Sequence, residues 1–353
     1  MWTTRSEKNL GTIAQLYREA LDKDPGSVHA LTGLANAMIC SAILEVVDSS
    51  VAYACAVEAI RRVPLLNFQD FDAKYCAAFL KMAHDRKWRQ SRAAFEDLLR
   101  EQPSNFLGLL GRALLHVADA EFREASRRAW EAWSLNPLVS STRFLLCWIP
   151  FLAGDYAEAL ELAAQFKATG SSGAMLAAVS ALALSRSAPP ALAIEQIESL
   201  AAEFPQSRTL QGIVGYARGI SGQSKKASQM LATLLEMSER KKNSCGYALA
   251  LTLIGLGRKQ EAIPWLEASF EQGSIWSLGF RSDPILKPLR GDQRFESLLR
   301  KIGCHTETLA IDQARFMSQT SHPVPTGFQV GGWGRCVGVY QSLTDDLEEH
   351  GAA

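Results

Sequence analysis

Apolar residues along this chain fall at helical spacing, in runs cut by proline at a fixed interval. Pro103, Pro137 and Pro205 lie 137−103 = 34 and 205−137 = 2 × 34 residues apart, with Ser171 in the slot where an intermediate proline would fall. Twelve residues before each slot stands a small residue: Ala125, Ala159 and Ala193. Alanine at a recurrent position lets two helices approach closely, so the pattern predicts antiparallel helix pairs with these alanines near the start of each second helix. Upstream, Pro25, Pro64 and Pro103 are spaced 64−25 = 39 and 103−64 = 39. Each of those intervals has room for five extra residues, expected in connections near Glu45 to Ser50 and Leu65 to Phe71, where closure costs little.

The turns before these alanines share a pattern: Ala120-Glu121-Phe122-Arg123-Glu124, Gly154-Asp155-Tyr156-Ala157-Glu158 and Gly257-Arg258-Lys259-Gln260-Glu261, the last followed by Ala262. Together with Leu34-Ala35-Asn36-Ala37 and the 34-residue period, they resemble the tetratricopeptide repeat. The resemblance implies an all-α, right-handed superhelical solenoid of about seven antiparallel pairs over residues 10–272, with a concave face lined by first helices. Such pairs cannot bury their apolar faces alone and must stack. Pro150 conflicts with the pattern, because late in a first helix it removes a backbone donor and should kink or end the helix.

Residues 273–303 read as a capping segment. The run Phe280-Arg281-Ser282-Asp283-Pro284 through Arg294-Phe295 looks like the closing segment of tetratricopeptide regions in bacterial winged-helix regulators and nucleotide cyclases. Gln293 stands where that family has proline, which predicts a looser turn. Phe295, Leu298, Leu299 and Ile302 form a stripe at helical spacing and Gly303 is a suitable stop, so a short helix should seal the end of the solenoid. From 304 to 353, Gly, Pro, Ser and Thr rise while Phe328, Val330, Trp333, Val337, Val339 and Tyr340 stay apolar. Two readings follow, a solvated disordered tail or a segment docked in the groove.

Charge narrows the function. Lysine plus arginine equals aspartate plus glutamate at 37 each, so no basic field exists to attract nucleic acid or an anionic membrane. The longest apolar run, Phe144 to Ala153, is too short to cross a bilayer, and Arg5, Glu7 and Lys8 interrupt any secretory signal. No membrane insertion and a cytoplasmic location are expected. The 7 cysteines (Cys40, Cys55, Cys76, Cys147, Cys245, Cys304, Cys336) are odd in number and scattered, the pattern of reduced core residues. No phosphate loop, nucleophile elbow or metal-spaced cluster appears, and His29, His84, His116, His305, His322 and His350 have no neighbours at ligand spacing. The expectation is therefore a non-enzyme with no cofactor and no metal.

The repeat phase, laid on the first helices, puts Leu107, Leu110, Leu114, Phe144, Trp148, Phe151, Met175 and Leu182 on the groove, with Tyr216, Tyr247 and Leu251 extending the line. An apolar groove suits a partner's amphipathic helix or apolar segment. Each of these side chains has a second reading, as core between adjacent helices. The carboxylate clamp of tetratricopeptide domains that bind chaperone C-termini is not supported, since its slots hold Thr32, Cys76 and Leu110, with only Asn36 matching. The chain reads as a scaffold for another protein. The alternative is a sensory or regulatory module of bacterial signalling or transcription control, with its output domain on another chain.

Overall fold

A computed structural model describes residues 9–63, 70–137, 139–169, 173–241 and 245–303. The expected insertion at 65–69, Cys304, Cys336, the last three histidines and both readings of the tail lie outside these. After α1 (Leu10–Lys23) the chain forms α2 (Val28–Ile43) and α3 (Ser49–Arg62), then α4 (Phe71–Ala83) and α5 (Trp88–Glu101), α6 (Phe106–Ala118) and α7 (Phe122–Leu135), and α8 (Ser140–Ala153) and α9 (Tyr156–Ala168). It continues with α10 (Ala174–Ser187) and α11 (Pro190–Glu203), α12 (Arg208–Ile220) and α13 (Ser224–Lys241), and α14 (Gly246–Gly255) and α15 (Lys259–Glu271). Consecutive helices pack on each other across short turns, which leaves only an antiparallel arrangement within each pair. Second helices begin at residues 88, 122, 156, 190 and 224, each 34 after the last.

The alanines behave as the spacing requires. Ala125, Ala159, Ala193 and Ala262 each occupy the fourth position of a second helix and are buried. Ala52 and Ala227 continue the series in α3 and α13, and Ser91 replaces alanine in α5, its hydroxyl donating to Ala78 O at 2.8 Å. Ala159 is 0% exposed, so Ala159→Leu should force the helices apart and cost on the order of 1–3 kcal/mol. Denaturant unfolding measures this, and an unchanged midpoint would place Ala159 outside the contact.

Local chemistry starts and stops the helices. Ser27, Asp48, Asp70, Asn105, Asp155 and Ser207 sit at N-caps, and their side chains accept backbone N–H groups of the first turn. Gly154 ends α8 with φ +92°. Pro150 neither ends nor breaks that helix at its own position: it stands in the last turn, and its carbonyl accepts from Asp155 N at 2.9 Å.

The α12–α14 contact is unusually close. A Cβ on Gly212 would lie 2.4 Å from Ala248 Cα, and one on Gly219 would lie 2.3 Å from the Gly255 carbonyl carbon. The two backbones therefore touch along a glycine seam.

Among the described residues no further helix pair follows Glu271. Gly273 turns the chain at φ +85°, and two 3₁₀ helices, Ile275–Gly279 and Pro284–Leu289, lead to α16 (Gln293–Leu299). The turn before α16 is not loosened by Gln293, because Asp292 caps it by accepting from Arg294 N at 2.9 Å and Phe295 N at 3.3 Å. Phe295, Leu298, Leu299 and Ile302 are buried, and Gly303 takes φ +84°. The segment packs on α14 and α15 of the last pair and also reaches the early helices. The first 3₁₀ helix packs on α6, and Gly303 lies against Ala118 and Asp119.

Candidate interaction surface

First helices are buried on nearly every face, whereas second helices bury one stripe. In α6, Leu107–Gly111 and Ala113–Ala118 are all buried; in α7 only Phe122, Ala125, Ala129 and Ala132 are. The groove residues expected from the sequence, Leu107, Leu110, Leu114, Phe144, Trp148, Phe151, Met175, Leu182, Tyr216, Tyr247 and Leu251, are each at most 9% exposed. All eleven are buried within the chain itself.

Three of them converge on one side chain. Trp276 is 1% exposed and lies edge-on to Phe144 and Trp148, each with ring centroids 5.6 Å away, while stacking on Tyr247 at 5.3 Å. Phe144 stacks on Trp148 at 5.1 Å, and Phe280 stacks on the Tyr247 ring at 5.8 Å. Offset and edge-to-face pairs at these separations favour a fixed ring geometry beyond simple burial. Gly279 passes close to Trp148, where an added Cβ would meet Cζ2 at 2.7 Å. Phe151 turns instead to Tyr156 at the start of α9. The hydroxyls of Tyr156 and Tyr216 bond to Arg186, an exposed cation on α10.

Polar contacts tie the segment at both ends. The Tyr53 hydroxyl donates to Gly273 O at 3.0 Å. The Arg86 guanidinium donates to the carbonyls of Ala83 and Phe270 and lies 4.5 Å over the Phe270 ring. Trp88 Nε1 donates to Lys301 O at 2.8 Å. Within the segment, Arg281 gathers the carbonyls of Leu299 and Ile302, both at 2.8 Å. A further long-range contact joins Arg208 and Thr209 of α12 to Glu45, whose main-chain carbonyl and carboxylate accept from them.

Asp283 sits in the middle of this network, 4% exposed, with Oδ2 accepting from the Tyr247 hydroxyl at 2.6 Å and Oδ1 from Ile285 N at 2.8 Å. Loss of water pushes its carboxyl up to about 6, against the pull of those donors and of Arg290 and Arg186. Burial and the neighbouring carboxylate drive the Tyr247 phenol upward as well. A raised carboxyl pKa means the folded chain binds the proton more tightly than the unfolded chain does. The stability this contributes is fully present below the usual carboxylate range and is lost as pH rises through about 6. Relative to Asp283→Asn, the native chain should lose on the order of 2–3 kcal/mol of unfolding free energy between pH 4 and 7. Parallel stability curves for the two proteins would contradict this.

The clamp slots Thr32, Asn36, Cys76 and Leu110 are all buried. Among the described residues no group of three or more His, Cys, Asp or Glu is placed to hold a metal, and no helix is long and apolar enough to cross a membrane. Of the described cysteines, Cys76, Cys147 and Cys245 are buried, and the Cys147 thiol is pushed up to about 12 by desolvation.

Of the residues named from the repeat phase, Phe144, Trp148 and Tyr247 meet the segment after the last pair. Trp276, Tyr53 and Arg86 were not singled out, and Phe280 and Asp283 were read only as part of the closing run. The one available signal was the apolar density of residues 275–289 directly after the last pair.

No protein-family model matches the chain, and no curated protein matches it in sequence. Solved structures do. The APC/C hetero-tetramer Cut9–Hcn1 aligns over 84% of this chain and 58% of that one at 12% identity, with a TM-score of 0.51. The fold is tetratricopeptide-like. A tetratricopeptide repeat protein from Parabacteroides merdae aligns over 83% of this chain and 98% of its own at 11% identity and TM-score 0.46. Yeast Tom70 aligns over 83% and 62% at 15% identity and TM-score 0.45. The chain thus spans about three fifths of the Cut9–Hcn1 and Tom70 chains it resembles. At these identities the likeness is one of fold. The resemblance of residues 280–303 to the regulator and cyclase regions rests on those residues alone.

Proposed function

We propose that this chain is a protein-interaction scaffold whose first helices take an apolar helix or segment of another protein on the inner face, along Leu107, Leu110, Leu114, Phe144, Trp148, Phe151, Met175, Leu182, Tyr216, Tyr247 and Leu251. The observation that carries the reading is the seat of Trp276: helices α8 and α14, distant in sequence, together form an aromatic pocket that holds an indole from a short non-helix-pair segment. A face that accommodates one such segment has the chemistry to accept another. Buried aromatic anchors of this kind dominate binding energy where partners meet.

A photo-crosslinking residue placed at Met175 on the inner face, and separately at the exposed Leu192 of α11, distinguishes this surface from the outer one. Specific adducts from position 175 and none from 192 are expected. Adducts from 192 alone would move the interaction surface to the second helices.

A further inference from the structure

We infer that residues 275–283 are the resident occupant of the inner face, and that a partner taken there presents the same chemistry: an indole, a glycine and an aromatic ring three and four residues on, and a carboxylate seven residues on. This rests on the inner face being the partner surface, and it specifies what that surface selects. Trp276, Gly279, Phe280 and Asp283 stand at positions i, i+3, i+4 and i+7 of a segment that is 3₁₀ helical over Ile275–Gly279 and turns thereafter, and all four are brought against α8 or α14.

Each position meets a distinct feature of the receiving wall. Trp276 fills the pocket of Phe144, Trp148 and Tyr247. Only glycine fits at 279, since a Cβ there would press on the Trp148 ring at 2.7 Å and on Leu152 Cδ2 at 3.1 Å. Phe280 covers the free part of the Tyr247 ring, and the Tyr247 hydroxyl donates to Asp283. A single tyrosine thus reads three of the four positions. The flanking grips hold main chain, because Tyr53 and Arg86 donate to the carbonyls of Gly273 and Phe270, with glycine required at 273, where an added Cβ would meet the Tyr53 ring at 2.4 Å, and the Phe270 ring lying under Arg86. Side-chain pockets at the centre with carbonyl grips on the flank are the features of a peptide receptor, and here the peptide belongs to the receptor's own chain. Tethering gives such a segment an effective concentration of order millimolar, so an outside segment binds weakly until the resident one is loosened.

The test adds a fluorescein-labelled peptide of residues 273–291 to the full chain and follows anisotropy. The native chain should take it up weakly, and Trp276→Ala should bind it at least about tenfold tighter. A peptide carrying alanine in place of the indole should not bind either protein. Circular dichroism checks that Trp276→Ala is folded; if it is not, the double variant Tyr53→Phe, Arg86→Met, which loosens the flank and keeps the anchor, decides by the same criterion. A folded variant that ignores the peptide, or that binds both peptides alike, overturns the inference. The two proposals fail separately: adducts from position 175 without peptide uptake would leave the scaffold and remove the resident occupant. Peptide uptake without adducts would do the reverse.

Discussion

Trp276→Ala should destabilise the chain by about 3–5 kcal/mol, the usual cost of deleting a fully buried large side chain and leaving its cavity. The side chain is 1% exposed and touches three rings from two helices, Phe144 and Trp148 of α8 and Tyr247 of α14, none of which can collapse independently into the space. The loss should also be uneven along the chain. Stacked repeats gain stability from neighbours, so α7 and α9, which touch the preceding and following first helices, should keep their amide protection. Residues 275–289 and the inner turns of α8 and α14 should lose theirs. Hydrogen exchange resolves the two groups, and a uniform loss would mean that the segment is welded into one cooperative unit with the whole solenoid.

Gly212→Leu should be of similar size and for the opposite reason, too much volume. A Cβ at that position lies 2.4 Å from Ala248 Cα, which is main chain and cannot rotate away. Replacing glycine in a helix gains up to about 1 kcal/mol of propensity. Overpacking costs about 1–3 kcal/mol or more, and here the two helices must separate along the whole seam that includes Gly215 and Gly219. The clash wins. Gly11→Ala in α1 supplies the control, since nothing lies within 4 Å of its added Cβ and propensity acts alone. Chemical denaturation should show opposite signs for the two substitutions.

The reading from sequence succeeded where one residue type served one local purpose at a fixed interval. Ala125, Ala159, Ala193 and Ala262 were legible because every second helix needs a small fourth residue against its partner, so the requirement repeats with the fold. Phe144, Trp148 and Tyr247 were picked out from the same repeat phase, and all three are buried against Trp276. What faces them was not, because Trp276 lies beyond the last repeat and no period predicts its position. Its contacts with Phe144 and Trp148 join residues more than 100 apart and depend on how far the superhelix has curled, a sum of small rotations per repeat. Tyr53 and Arg86 were hidden in the same way: their partners are main-chain carbonyls at Gly273 and Phe270, which leave no mark in the sequence. Pro150 was legible as an anomaly, yet its effect was overstated, since a proline in the final turn removes one hydrogen bond and Gly154 stops the helix anyway.

The central claim is that the segment after the last repeat returns across the inner face to the early helices. Lys301 and Lys87 report on this directly, because the Lys301 carbonyl accepts from Trp88, the residue next to Lys87, and Lys87 is exposed. A short amine-reactive crosslinker applied to the monomer, followed by mass spectrometry, should join Lys301 to Lys87 despite a separation of 301−87 = 214 residues. Links from Lys301 confined to Lys259 and Lys287, as expected of a segment that merely closes the end of the stack, would contradict the account.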